Sequence, residues 1–226
     1  MIDIPLYSSA GDQTGTYPLD EQLLGGDVRP GLLKQAFVRY HANRRSINAT
    51  TKNRGMVRGS GKKLYKQKGT GNARRGDKKS NILRGGGMAL AKVPHSWRQD
   101  MPAKMRRLAN RNALLAKAVD GEIKIIDAAP GEGFDKPSTK QFASLLASLQ
   151  IDRSTLVALA DTQSPLARSA ANLENIDVTQ IDRLNVFDLL NHRYLLVHKS
   201  DFEAYLQRVT QNVKTHEATA PVSEAA

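Results

Sequence analysis

The segment at residues 44–84 limits most strongly what this chain can fold into. It carries 14 lysines and arginines and a single acid, Asp77, which gives a net charge of +13. The whole chain of 226 residues has a formal net charge of +12, so the remainder is close to neutral at −1. The apolar residues of the segment are few and follow neither a helical nor a strand period. We therefore expect this stretch to lie outside the hydrophobic core.

Regular structure is predicted on both sides of this segment. Before it, the pattern indicates a strand at residues 2–7, a polar turn-rich stretch, and a helix that opens at Pro30 and covers residues 31–41. After it, residues 103–119 form an amphipathic helix ended by Asp120-Gly121. Its predicted inward residues are Met105, Leu108, Ala109, Leu115, Ala116 and Val119, and its predicted outward residues are Lys104, Arg106, Arg107, Arg111 and Lys117.

The rest of the chain alternates between strand and helix patterns. Strands are predicted at 122–127, 154–160, 176–181 and 193–198, and helices at 138–150, 164–173, 183–191 and 200–209. Ser200 and Glu203 have the spacing of a capping box at the start of the last helix. Alternation at this spacing, with unbroken apolar strands, is typical of a parallel sheet covered on both faces.

The predicted fold class is therefore α/β. We expect a three-layer domain with a mainly parallel central sheet flanked by helices, interrupted by a long extended basic internal loop. The predicted body comprises residues 1–41 and 98–210, the loop residues 42–97, and a disordered tail residues 211–226. Because the loop is self-repelling and poor in apolar residues, we expect it to be disordered in isolation.

Composition excludes several classes of protein. With 40% hydrophobic residues the chain can build a core, and without cysteine it has no disulfide, thiolate zinc site or cysteine nucleophile. Its start lacks the pattern of a secretion signal, and no apolar run approaches the roughly 18 residues of a membrane span. We expect a soluble cytoplasmic protein with no membrane partner.

Motifs for catalysis or cofactor binding are incomplete. Gly61-Lys62 lacks both the upstream glycine and the following Ser or Thr of a phosphate-binding loop. The histidines, His41 and His95 among them, have no metal-ligand spacing, and Asp182 and Asp188 are expected to be surface or helix-capping acids. No catalytic residue, metal site, cofactor or small-molecule substrate is predicted, and we do not expect an enzyme.

Dense positive charge without an amphipathic helix favours a nucleic acid over a membrane or an acidic protein. Lysines and arginines neutralise phosphates, and a glycine-rich backbone allows close approach to RNA. Tyr65 could stack on an unpaired base or serve only as a spacer. The candidate contacts are Arg44, Arg45, Lys52, Arg54, Arg58, Lys62, Lys63, Tyr65, Lys66, Lys68, Arg74, Arg75, Lys78, Lys79 and Arg84, with Arg106 and Arg107 on the following helix.

The run GKKLYKQKGTGNARRG at residues 61–76 resembles the signature loop of the bacterial-type L-four family of large-subunit ribosomal proteins. TKNR at 51–54, RGGG at 84–87 and PAKMRRLA at 102–109 extend the resemblance. The chain departs from the family pattern at Leu64-Tyr65, where Pro-Trp is usual, at Asn72, where Arg is usual, and at 88–92, where a Phe-Gly-Pro type of run is usual.

The resemblance implies a body seated on the large ribosomal subunit and a loop threaded into 23S-type rRNA, supporting early assembly. It adds Gln67, Gly69, Thr70 and Gly71 to the rRNA contacts. It also implies neighbouring ribosomal proteins as partners, its own mRNA leader as a further one, and a place in the ribosome. The loop tip at the wall of the peptide exit tunnel would comprise Lys63, Leu64, Tyr65, Lys66, Gln67, Lys68, Gly69 and Thr70. Two alternatives are a non-ribosomal RNA-binding protein and an RNA-modifying enzyme with a basic arm.

Overall fold

The computed structural model describes residues 1–127 and 136–218, with backbone only for residues 211–218. The chain divides into two units. We call residues 1–41 together with those from 100 onward the body, and residues 42–99 the insert.

The body contains one six-stranded sheet. Its strands are β1 (Ile2–Tyr7), β2 (Gln13–Leu19), β3 (Ile123–Ile126), β4 (Thr155–Leu159), β5 (Ile176–Gln180) and β6 (Tyr194–His198). They are ordered β2-β1-β3-β6-β4-β5. Only the β1–β2 pair is antiparallel, and the other four pairs are parallel.

The described residues form six helices: α1 (Pro30–Arg44), α2 (Ala103–Val119), α3 (Thr139–Ser148), α4 (Pro165–Ala170), α5 (Val186–Asn191) and α6 (Lys199–Ala218). Short 3-10 turns lie at Gln22–Leu24 and Ile181–Arg183. Three helices begin with a side-chain cap, in which Ser138, Ser164 and Asn185 accept a hydrogen bond from a backbone N–H of the first turn.

The hydrophobic core has two parts because alternate strand residues point to opposite faces of the sheet. On one face, Ile125, Leu156 and Leu195 are buried in one cluster with residues of α1, α2, α5 and α6. On the other, Val157 and Leu196 are buried with residues of α3 and α4. Helices thus cover both faces, which confirms the predicted α/β class with a mainly parallel sheet. Among the helices within residues 1–127 and 136–218, none has the length and apolar character that crossing a bilayer requires.

The structure corrects the prediction at β2, which falls in the stretch predicted as polar and turn-rich. Residues 13–19 form an edge strand paired only with β1. Gly15 and Pro18 are residue types that are rare in strands, so the sequence of β2 does not show a strand pattern. An edge strand tolerates a proline because a missing N–H is not needed for pairing on its open side.

Two further corrections concern helices. In α2, Val119 is exposed, whereas Lys117 is buried because its ammonium donates to Glu122 Oε2 at 2.5 Å and to the Arg193 carbonyl at 2.8 Å. The last helix begins at Lys199, so Ser200 lies inside it and not at its cap, and it continues past residue 209 to Ala218. Of the predicted tail, residues 219–226 lie outside the described residues.

Candidate nucleic-acid interface

The insert has no hydrophobic core of its own. All of residues 42–99 are described, and none of their apolar side chains is buried. Its exposed large apolar residues are Met56, Leu64, Ile82, Met88, Leu90, Val93 and Trp97. No helix or strand occurs in the described insert after α1 ends at Arg44. Its conformation therefore depends on hydrogen bonds and a few side-chain contacts.

An amide side chain joins the two ends of the insert. Asn43 donates through Nδ2 to the Gln99 carbonyl at 3.2 Å and accepts from the Gln99 N–H at 2.8 Å. Beside this pair, the Arg45 guanidinium lies 4.2 Å from the centre of the Trp97 ring, and His95 meets the same ring edge-on. These contacts bring the incoming and outgoing chain together.

Further along, two backbone segments of the insert run side by side. The Thr51 N–H donates to the Lys92 carbonyl at 2.9 Å, and the Lys92 N–H donates to Thr51 Oγ1 at 2.7 Å. The Met88 N–H donates to the Lys52 carbonyl at 2.9 Å. Asn53 then turns the chain, because its Oδ1 accepts from the N–H groups of the residues two and three positions on.

Two glycines allow a close backbone crossing. A Cβ on Gly86 would lie 1.8 Å from the Ser80 carbonyl oxygen, and a Cβ on Gly87 would lie 2.2 Å from the Arg54 backbone nitrogen. Gly87 is buried and its N–H donates to the Lys79 carbonyl at 3.1 Å. Only residues without a side chain fit here.

The tip of the insert is a closed hairpin. The Leu64 N–H donates to the Gly76 carbonyl at 3.0 Å, and the Tyr65 hydroxyl donates to the Ala73 carbonyl. Lys63 Nζ donates to the Arg75 carbonyl at 3.2 Å and to Gln67 Oε1 at 2.8 Å. In the turn between the two arms, Gly69 and Gly71 have φ of +88° and +66°.

The predicted cations are mostly presented to solvent. Twelve of the fourteen are exposed: Arg44, Arg45, Lys52, Arg54, Arg58, Lys62, Lys63, Lys66, Lys68, Arg74, Lys78 and Arg84. Arg75 and Lys79 are half-buried, and Lys79 Nζ lies 4.0 Å from Asp77, the one carboxylate between residues 44 and 84. Gln67, Gly69, Thr70 and Gly71 are exposed as well. Such a surface suits a polyanion, because exposed lysines and arginines can reach phosphate oxygens.

On the body, Arg106 and Arg107 are exposed in the first turns of α2. Arg111, predicted to point outward, is instead half-buried. Its guanidinium donates a hydrogen bond to the Leu23 carbonyl at 3.4 Å. Arg111 is thus less available to a ligand than its sequence position suggests.

Asp182, Asp188 and His192 of the body have structural partners. Asp182 pairs with Arg208 at 2.6 Å, while Asp188 lies in the first turn of α5 and accepts from Asn185 Nδ2 at 2.6 Å. These contacts confirm the interpretation of both acids as surface or capping groups. His192 bonds the Asp188 carbonyl and lies 2.9 Å from Asp177. Within the described ranges, no cluster of three or more His, Asp or Glu could hold a metal ion.

Sequence reasoning missed the residues that shape the insert. Asn43, Thr51 and Trp97 act through partners about 40 to 60 positions away, which no local pattern reveals. Asn53 could have been found, because Asn two residues before a glycine is typical of a side-chain-stabilised turn. Tyr65, predicted as a stacking residue or a spacer, uses its hydroxyl within the hairpin.

The sequence of this chain is similar to those of known ribosomal proteins. The model of the ribosomal protein L4/L1 family matches residues 17–208. The chain is similar to a protein of Dehalococcoides mccartyi named large ribosomal subunit protein uL4, with 37% identity over 196 residues, 87% of this chain and 92% of the relative. Proteins of the same name from Pelotomaculum thermopropionicum and Rhodopirellula baltica are 38% and 33% identical, over 87% and 97% of this chain and 94% and 100% of theirs.

Proposed function

Because the chain belongs to the ribosomal protein L4/L1 family, we propose that it is a structural constituent of the large ribosomal subunit whose insert binds the rRNA of that subunit. Members of the family are structural proteins and not enzymes, and they act in ribosomes of the cytoplasm. Its partners are accordingly rRNA and other ribosomal proteins.

The observation that carries the rRNA proposal is the combination of exposed charge and a missing core in the insert. Twelve exposed cations can each displace a condensed counterion from RNA, and that release drives association. A coreless insert has little to order it on its own, so phosphate contacts supply much of the ordering free energy. Binding of this kind holds RNA segments together and at the same time orders the insert.

The tip carries the finer part of the proposal. By its resemblance to the family loop, the hairpin at residues 63–70 reaches the wall of the peptide exit tunnel, and the insert links rRNA segments early in assembly. Support comes from the exposure of Lys66 and Lys68 beside the turn in which Gly69 and Gly71 have positive φ. The body then anchors the insert to the subunit.

The test measures affinity for a large-subunit rRNA transcript as a function of salt. If about seven phosphates are neutralised, log K against log salt has a slope of roughly −5 to −6. Deleting residues 54–84 removes ten or more of the cations and should bring the slope toward about −1. Urea unfolding of both proteins serves as the control for an intact body.

Equal affinity and equal slope for the two proteins would refute rRNA binding by the insert. A second readout is sedimentation of the full chain with large subunits through high salt, where stoichiometric recovery is expected. A protein found only in the free pool would contradict the ribosomal assignment.

A further inference from the structure

We propose that Lys63 and Tyr65 are positioning residues that hold the tip hairpin closed and do not themselves contact RNA. The inference rests on the proposed rRNA binding and separates the tip cations into two kinds. Lys63 faces the hairpin's own backbone, whereas Lys62, Lys66 and Lys68 face outward to phosphates.

The geometry around Lys63 supplies the first argument. An ammonium group has three donors, and two of those of Lys63 are committed to oxygens across the hairpin, the Arg75 carbonyl and Gln67 Oε1. Charge-assisted bonds of this kind are stronger than neutral ones. A phosphate would have to displace both acceptors before it could bind the Lys63 ammonium. It could bind the ammonium of Lys62 or Lys66 directly.

Tyr65 supplies the second argument. It is the one half-buried residue of 61–70, and its hydroxyl donates to the Ala73 carbonyl on the opposite arm. Together with the Leu64 to Gly76 backbone bond, this contact joins the arms at three consecutive residues, 63 to 65. The hydroxyl of Tyr65 is thus already engaged within the hairpin.

The bonds between the two arms stabilise the closed tip, so they offset part of the conformational entropy lost when RNA orders the insert. The turn at residues 66–72 is then held at a fixed span, so Lys66 and Lys68 meet the phosphate backbone in one register. The chain has Leu64-Tyr65 where the family usually has Pro-Trp. Here the tyrosine hydroxyl donates a hydrogen bond across the hairpin, and an indole in that position has no hydroxyl with which to make it.

Lys62 and Lys63 form a matched pair for the test, since they are adjacent, identical in type and both exposed. Lys62 Nζ makes no hydrogen bond or ion pair with any of the described residues, while Lys63 Nζ makes two. The experiment measures binding of the full chain and of Lys62→Gln, Lys63→Gln and Tyr65→Phe to the same rRNA transcript over a range of salt concentrations.

Lys62→Gln should reduce the magnitude of the salt slope by about 0.7 to 0.9, the loss of one phosphate contact. Lys63→Gln should weaken binding by about tenfold at every salt concentration and leave the slope unchanged. Tyr65→Phe keeps the ring and removes only the hydroxyl, so a loss of about fivefold with an unchanged slope is expected.

A slope reduced by Lys63→Gln as much as by Lys62→Gln would overturn the inference for Lys63. Wild-type affinity for Tyr65→Phe would overturn the inference for Tyr65, because the hydrogen bond of its hydroxyl would then contribute nothing to binding. In either case the proposed function stands if the wild-type salt slope of rRNA affinity is steep and is lost on deleting residues 54–84. A wild-type slope near zero would instead contradict the proposed function itself.

Discussion

Replacing Gly87 by alanine should damage RNA binding while leaving the body intact. The new Cβ would lie 2.2 Å from the Arg54 nitrogen and 2.4 Å from the Asn53 carbonyl carbon, whereas ordinary contacts begin near 3.4 Å. Both obstacles are backbone atoms, which no side-chain rotation can move. The two segments must therefore separate by roughly 1 Å.

That separation disrupts the two hydrogen bonds that hold the crossing. The Gly87 N–H donates to the Lys79 carbonyl at 3.1 Å, and the Met88 N–H donates to the Lys52 carbonyl at 2.9 Å. Each contributes about 1 kcal/mol, so the ordered insert loses about 2 kcal/mol, which corresponds to a roughly 30-fold weaker rRNA affinity. The number of phosphate contacts does not change, so the salt slope should stay the same.

The assay is a filter-binding or anisotropy titration with a large-subunit rRNA transcript. Gly61→Ala is the matched control, because a Cβ there meets nothing within 4 Å and should alter affinity by less than about twofold. Urea unfolding of the body should be unaffected in both variants. Wild-type affinity for Gly87→Ala would refute the argument that the backbone crossing forms in the bound protein.

Other expectations concern the body and the free insert. Lys117→Met should lower the free energy of unfolding in urea by about 1 to 2 kcal/mol, since the Glu122 carboxylate loses its ammonium partner and keeps only Arg193, whose Nε lies 3.2 Å from Glu122 Oε1; an unchanged midpoint would contradict this. Burial raises the pKa of Tyr205 above its ordinary 10.0, so the neutral phenol is favoured in the folded protein. Its contribution to stability is complete below about pH 10 and is lost as the pH rises through the raised pKa, so Tyr205→Phe should flatten the loss of stability seen in urea unfolding above about pH 10. In hydrogen exchange of the free protein, amides of residues 42–99 should exchange rapidly while those of Thr155–Leu159 stay protected, and a protected insert would show that it orders without RNA.

Much of the body could be predicted because its elements are locally consistent. The continuous apolar run of β4 and the periodic pattern of α2 each indicate one structure. The pattern failed at β2, where glycine and proline occupy a strand whose pairing is non-local. It also failed at Lys117, which is buried because Glu122 and the Arg193 carbonyl satisfy its ammonium.

For the insert, the sequence reveals which residues are cationic but not what each one does. Lys62 and Lys63 are indistinguishable by type and spacing, and their surroundings differ only because the hairpin places the Arg75 carbonyl within reach of Lys63 Nζ. The same holds for Gly61 and Gly87, one open and one at a backbone crossing. Roles of this kind depend on pairings between distant residues, which composition and periodicity do not encode.

The most direct test of the central claim is density for this chain in an intact large ribosomal subunit. We expect residues 42–99 to be ordered, with the side-chain nitrogens of Lys62, Lys66 and Lys68 within about 3 Å of rRNA phosphate oxygens. An insert that faces solvent, with those nitrogens far from any phosphate, would contradict the account.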